Sequence, residues 1–123
     1  MAEHNDLGRL GEDIAIRHLK AKAYDILEAN WRCGRLEVDI IARINDHLVF
    51  AEVKTRSGTV LKPPDESVNR RKQQHLIRAA NAYIAIVNLD LEVRFDIITV
   101  IFGRGSAARV CHIENAFYPA VRS

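Results

Sequence analysis

Asp39, Glu52 and Lys54, with Glu37 close by, are the residues of this 123-residue chain whose types and spacing could do chemistry. They lie within Leu36 to Thr55, two runs rich in Val, Ile and Phe separated by Asn45-Asp46. An Asn-Asp pair in that setting is a tight-turn signal, weaker than Asn-Gly, and predicts two antiparallel strands. Side chains alternate along a strand, so Glu37, Asp39 and Ile41 are expected on one face of the first strand. Phe50, Glu52 and Lys54 are expected on one face of the second. A turn centred between Asn45 and Asp46 makes the numbers of opposed residues sum to 91, setting Asp39 opposite Glu52 and Glu37 opposite Lys54.

Two bare carboxylates with Cβ atoms about 5 Å apart would repel by roughly 3 kcal/mol at an effective dielectric of about 20, so something positive should sit between them. Lys54 could supply part of that charge. A divalent cation fits oxygen ligands better, and Mg²⁺ typically takes one or two carboxylates plus substrate phosphate. The competing reading is a surface ion-pair ladder, Glu37 with Lys54. It is disfavoured because Asp39 and Glu52 alternate with apolar residues on strands that otherwise read as core.

Several elements must position these groups. Residues 6 to 23 read as a helix with Asn5 or Asp6 as N-cap and Leu7, Leu10, Ile14 and Ala21 on one side. Glu12 falls instead among Ala15, Ile16, Leu19 and Ala23, where an unpaired charge would be costly. It is therefore either a fourth acid aimed at the hairpin or an early-helix residue at the edge of the apolar arc. Tyr24 to Arg32 reads as a first strand ending at a Cys33-Gly34 turn, and Arg56 to Glu66, with Gly58, Pro63 and Pro64, as a basic loop. Ser67 to about Val87 is predicted helical, with Val68, Leu76, Ala79, Ala80, Tyr83, Ile84 and Ile86 inward and Arg70, Gln74, Arg78 and Asn81 outward. Lys72 and Gln73 project within the apolar arc near the end of the helix that suits a phosphate, or they snorkel from a core edge. Glu92 to Phe102 is a strongly β-branched strand in which Asp96 shares a face with Ile98, Val100 and Phe102, as a structural hydrogen-bonding or ion-pairing group. Ala107 to Ile113 reads as a last edge strand, followed by a tail containing Phe117 and Tyr118.

Length and composition describe a single domain, residues 1–123, with an ordinary globular balance of 48% hydrophobic and 28% charged residues. The absence of a membrane-spanning apolar run or a signal-like start leads to an expectation of a cytoplasmic protein. Cys33 and Cys111 lack metal-ligand spacing and are expected to be packing residues or free thiols; the five histidines are scattered, which argues against zinc. Net charge is +2, unevenly distributed: residues 54–78 hold seven basic and two acidic residues, residues 1–53 seven basic and ten acidic. An acidic cluster followed by a basic segment suits metal-dependent work on a polyanion.

The order α-β-β-β-α-β carrying Glu12, Asp39 and Glu52-Val53-Lys54 resembles the PD-(D/E)XK nuclease superfamily and, within it, the archaeal Holliday-junction resolvases. More closely, the chain resembles the bacterial YraN family of small nuclease-fold proteins. The resemblance rests on Gly8-x-x-Gly11-Glu12-x-x-Ala15, Glu37 to Ala42, Leu48 to Arg56, the Lys72 helix with Tyr83, and Arg94 to Ile98. One departure is Leu36, where that family usually has glycine. The resemblance implies an α/β fold with a restriction-endonuclease-like core, a mixed sheet flanked by helices. It also implies Mg²⁺- or Mn²⁺-dependent hydrolysis of DNA phosphodiesters, with Glu12 raised to a site residue. Asp39 and Glu52 would hold the metal, with the Val53 carbonyl as a further ligand, Glu12 on the metal or its water, and Lys54 orienting the attacking water.

Glu37 faces the same side with no assigned task. Arg56, Lys62, Arg70, Arg71, Lys72 and Gln73 would bind the nucleic acid, mainly through backbone phosphates. Branched or four-way junction DNA follows only by analogy with the resolvases, which act as dimers, and the Ala107 to Ile113 edge is where a homodimer could pair. Two other classes stand beside this one: a non-catalytic nucleic-acid-binding or adaptor protein on the same fold, and a sugar or nucleotide phosphohydrolase.

Overall fold

The computed structural model describes residues 2–57, 69–103, 105 and 107–117. In chain order it holds α1 (Ala2–Ala21), β1 (Asp25–Cys33), β2 (Leu36–Ile44), β3 (His47–Ser57), α2 (Arg70–Val87), β4 (Glu92–Phe102) and β5 (Arg109–Phe117). The strands form one sheet in the order β1-β2-β3-β4-β5, antiparallel except for the parallel β3–β4 pair that the α2 crossover requires. No helix among the described residues is long and apolar enough to cross a membrane.

Strand alternation sorts the core into two layers. Ala15 and Leu19 of α1 pack with Tyr24, Ile40, Ala42, Val49, Ala51, Ile98 and Val100 on one face. Leu76, Ala79, Ala80 and Tyr83 of α2 pack with Val38, Ile41, Leu48, Phe50 and Phe95 on the other. The helices therefore cover opposite faces of the sheet, which makes β3 and β4 near-continuously apolar, as strands buried on both sides must be.

Several boundaries differ from the sequence reading. Helix α1 already runs from Ala2, so residues 5 and 6 lie inside it and neither is the N-cap; no proline or glycine interrupts the turn before them. The stripe it buries is Gly11, Ala15 and Leu19, while Leu10 is exposed. Asn69 caps α2, its side chain accepting the Lys72 N–H at 2.8 Å. The expected start at Ser67 and inward Val68 lie outside the described residues, as does most of the basic loop, and Arg56 belongs to β3. Ile86 is exposed, because the α2 face that meets the sheet is centred on Leu76, Ala80 and Tyr83. Strand β5 reaches Phe117, whose ring stacks on Phe95 at 4.8 Å, so this aromatic belongs to the sheet and not to a tail.

The β2–β3 register sums to 91 as the turn predicted, from Ile44–His47 to Ile40–Ala51, with Asn45 at φ 51, a conformation Asn tolerates. The ladder ends there, short of Asp39–Glu52. On the other side of β2, Asn30, at φ 53, lies between the pairs Ala29–Ile40 and Trp31–Val38, and the β1–β2 register shifts between Ile26 and Glu28. Ile40 belongs to the α1 layer and Val38, two residues away, to the α2 layer, so alternation switches at Asp39. Beyond the switch the β1–β2 ribbon leans onto α2: Trp31 meets the Tyr83 ring edge-on at 5.3 Å, and the Glu37 N–H donates to His75 Nε2 at 3.3 Å. The expectation that Glu37, Asp39 and Ile41 share a face therefore fails.

Candidate active site

Asp39 sits where β2 leaves β3, and its carboxylate substitutes for the missing ladder partner by accepting the Val53 N–H at 2.8 Å. That bond fixes the Asp39 side chain against the backbone of the Glu52-Val53-Lys54 segment. On β3, Ala51 and Val53 face α1, so Glu52 faces α2, where its Oε1 lies 3.2 Å from the Lys72 ammonium. Lys54 follows two residues on and shares that face by alternation; it is half-buried.

Glu12 comes from the opposite face. Gly11 makes this approach feasible: it is buried against β3, and a Cβ there would overlap Thr55 Oγ1. Only a residue without a side chain lets α1 lie this close, which carries Glu12 to the rim of the sheet beside Asp39. Burial pushes the Asp39 carboxyl up to about 6. The Val53 N–H opposes the rise, the Glu12 and Glu52 charges add to it, and Lys72 pulls it down. Acids from α1 and β3 thus both act on the Asp39 carboxylate of β2.

Glu37 is not opposite Lys54. Its carboxylate lies 3.4 Å from the Arg32 guanidinium across the β1–β2 ribbon, with both side chains largely exposed. Beside it a cleft of about 270 Å³ is lined by Glu37, Asn69, Arg71, Lys72 and His75. Among the expected nucleic-acid contacts, Lys72 and Arg71 therefore line this cleft, and Lys72 also meets Glu52. Arg70 is exposed on the first turn of α2, and Arg56 is exposed near the end of β3, its guanidinium donating to the Thr55 carbonyl at 3.2 Å. Gln73 is half-buried. Lys62 lies outside the described residues. Asn69 and His75 are cleft residues that the sequence reading missed. Their signal was the spacing Asn69, Lys72, His75, one helix face at three-residue intervals.

No group of three or more His, Cys, Asp or Glu side chains among the described residues stands ready to hold a metal ion. The donor set is narrower: Asp39 and Glu52, hard oxygen ligands with a backbone carbonyl between Glu52 and Lys54. That is the complement expected for Mg²⁺, which keeps several waters and takes only one or two carboxylates from the protein. The elevated Asp39 is the observation that fits a cation, because a positive charge there would relieve both its burial and its repulsion. A larger, more apolar groove of about 460 Å³, lined by Ile14, Arg17, His18, Ala108 and Val110, contains none of these acids.

A second charged cluster serves structure. Asp96, 1% exposed, accepts two bonds from Arg94 at 2.9 Å, one from His112 at 2.7 Å and the Asn115 N–H at 3.2 Å; Arg94 also donates to the Tyr24 hydroxyl. Burial alone would raise Asp96, but the His112 and Arg94 hydrogen bonds and the Arg94 charge hold it below the usual carboxylate range. This is the structural role expected from its place among Ile98 and Val100.

A mixed five-stranded sheet between two helices, with an acid at the divergence of the central hairpin, defines an α/β protein with a restriction-endonuclease-like core. Uncharacterised protein family UPF0102 matches residues 11–100, a span that begins at the buried glycine of α1 and ends within β4. The chain is 48% identical over 119 residues to a UPF0102 protein of Bacteroides thetaiotaomicron, covering 97% of this chain and 98% of that one. It is 46% identical over 118 residues to one from Porphyromonas gingivalis, 95% and 87% covered, and 48% identical over 118 residues to one from Flavobacterium psychrophilum, 96% and 98% covered. The chain belongs to the UPF0102 family, the YraN family of the sequence resemblance.

Proposed function

We propose that this chain is a divalent-cation-dependent endodeoxyribonuclease of the PD-(D/E)XK type. The observation that carries the reading is the Asp39 carboxylate. It is anchored to the Val53 N–H where β2 and β3 part, and it is raised to about 6 by burial and by the converging Glu12 and Glu52. Free carboxylates held together in this way cost stability, and a bound cation offsets that cost.

Asp39 and Glu52 would hold Mg²⁺ or Mn²⁺, with the Val53 carbonyl as a further donor and Glu12 on the metal or its water. The cation supplies charge neutralisation and polarisation of a phosphoryl oxygen. Lys54, on the Glu52 side of β3, orients the attacking water and steadies charge on the scissile phosphate as an electrostatic group. Arg70, Arg71 and Arg56 hold flanking phosphates without reading bases.

A non-catalytic nucleic-acid binder is the rival reading, and Asp39 argues against it: a binder gains nothing from a half-buried acid facing phosphates. The test is cleavage of labelled four-way junction, linear duplex and single-stranded DNA with Mg²⁺, Mn²⁺ or chelator. Metal-dependent products are expected from wild type and a loss of about 10²-fold or more from Asp39→Ala and Lys54→Ala. Binding without cleavage, undisturbed by either substitution, would falsify the nuclease and leave the binder.

A further inference from the structure

Lys72 stands at a boundary. Its ammonium is 3.2 Å from Glu52 Oε1, yet its side chain also lines the cleft shared by Asn69, Arg71 and His75. The two partners are unequally held: the Glu52 side chain is 14% exposed and the Lys72 side chain 49%. The acid lies in the sheet, while the base sits at the end of a half-exposed four-carbon stem whose backbone N–H is held by the Asn69 cap.

The helix start adds a second, independent argument. Arg70, Arg71 and Lys72 occupy the first turn of α2, which holds no acid. Cations at the positive end of a helix are unfavourable, so three together there would be relieved by an anion. Glu52 serves one of them now. A cation bound to Glu52 would cancel the charge that holds Lys72 and leave that ammonium facing the cleft.

We propose that Lys72 is an exchangeable countercharge: it pairs with Glu52 while no divalent cation is bound, and passes to a backbone phosphate seated in the adjoining cleft once a cation takes the carboxylates. The proposal rests on the metal-dependent reading above. It makes cation binding and polyanion binding mutually reinforcing, since each favours the state in which Lys72 has left Glu52. It also gives His75 a place, accepting the Glu37 N–H and so closing the far wall of the cleft against β2.

The experiment is calorimetric titration of the full chain with Mn²⁺ at low ionic strength, without nucleic acid, for wild type, Lys72→Met, Lys72→Gln and Arg78→Met. Both Lys72 variants are expected to bind Mn²⁺ about two- to fivefold more tightly than wild type, the scale of a partly exposed ion pair. Arg78→Met, on the exposed side of α2, should stay level with wild type. Equal or weaker binding by the Lys72 variants overturns the exchange and leaves the metal site standing. No Mn²⁺ binding by any of the four proteins overturns the metal reading itself. In a second arm, anisotropy of a labelled phosphorothioate duplex, which resists hydrolysis, is followed with and without Mg²⁺. The cation should strengthen binding by wild type more than by Lys72→Met, and an equal gain in both would overturn the transfer to phosphate.

Discussion

At the scale of the residue, Asp39 is the group that bears the tension of the site. Its carboxylate accepts the Val53 N–H, and the like charges of Glu12 and Glu52 act on it. With its folded pKa raised to about 6 from 3.8, the carboxyl binds a proton more readily in the folded than in the unfolded chain. The ionised group therefore opposes folding above pH 6, and that opposition fades as pH falls through about 6 towards 4. Asp39→Asn keeps an oxygen for the Val53 N–H and removes the charge. In chelator at pH 7.5 it should be more stable than wild type by roughly 2 kcal/mol, read as a higher Tm, with the advantage shrinking below pH 6. Cleavage should be lost in the same protein. A lower Tm at pH 7.5 would mean that the carboxylate is not under strain. Sequence made Asp39 and Glu52 conspicuous, because acids alternating with apolar residues on a strand stand out; it could not show that Asp39 would bond across to Val53 instead of lying opposite Glu52.

At the scale of the element, the site depends on how closely α1 approaches β3. Gly11 and Thr55 are the point of contact. Gly11→Ala would gain about 1 kcal/mol of helix propensity, but inserting a methyl group into a filled contact typically costs about 1–3 kcal/mol. Net destabilisation of about 1 kcal/mol is expected, with Glu12 displaced from Asp39 and cleavage reduced by about tenfold. Adding Thr55→Ala removes the overlapping Oγ1, so the double variant should recover both Tm and activity, a non-additivity that identifies the contact. Additive losses would place the effect elsewhere. The glycine and glutamate were legible as a motif, and the helix as a periodicity. That the face presented to the sheet is Gly11, Ala15 and Leu19, with Leu10 left outside, was decided by the close approach itself.

At the scale of the whole molecule, the candidate site and the buried charged network occupy different regions. The carboxylates lie where the sheet opens between β2 and β3; the Tyr24, Arg94, Asp96 and His112 network binds β4, β5 and the α1–β1 connection together. Removing one member of a buried charged set strands the other, at roughly 3 kcal/mol. Asp96→Asn should therefore lower stability by about that amount in urea unfolding at pH 7. The depressed folded pKa of Asp96 gives stability that is present above the ordinary carboxylate range and lost as pH falls through the folded value, so wild type should lose its advantage over Asp96→Asn only in strong acid. A difference that vanishes already near pH 6 would contradict the assignment. Asp39→Asn and Asp96→Asn should thus move stability in opposite directions, which would distinguish an acid held under strain from one that holds the fold.

The sequence by itself determined the strands, the turn at Asn45-Asp46 with its register and the two helices, and it singled out the acids and the lysine as candidates. These are local properties: alternation, turn chemistry and helical period act over a few residues. Tertiary structure decided the rest. The switch of faces at Asn30 and Asp39 arises because the end of the β1–β2 ribbon packs on α2, bringing Trp31 to Tyr83 and Glu37 to His75. The pairing of Lys72 with Glu52 and the arrangement of His112 on Asp96 likewise join residues 20 and 16 positions apart. Such contacts are selected by which surfaces meet once the sheet has formed, and a pattern read over neighbouring residues does not contain them.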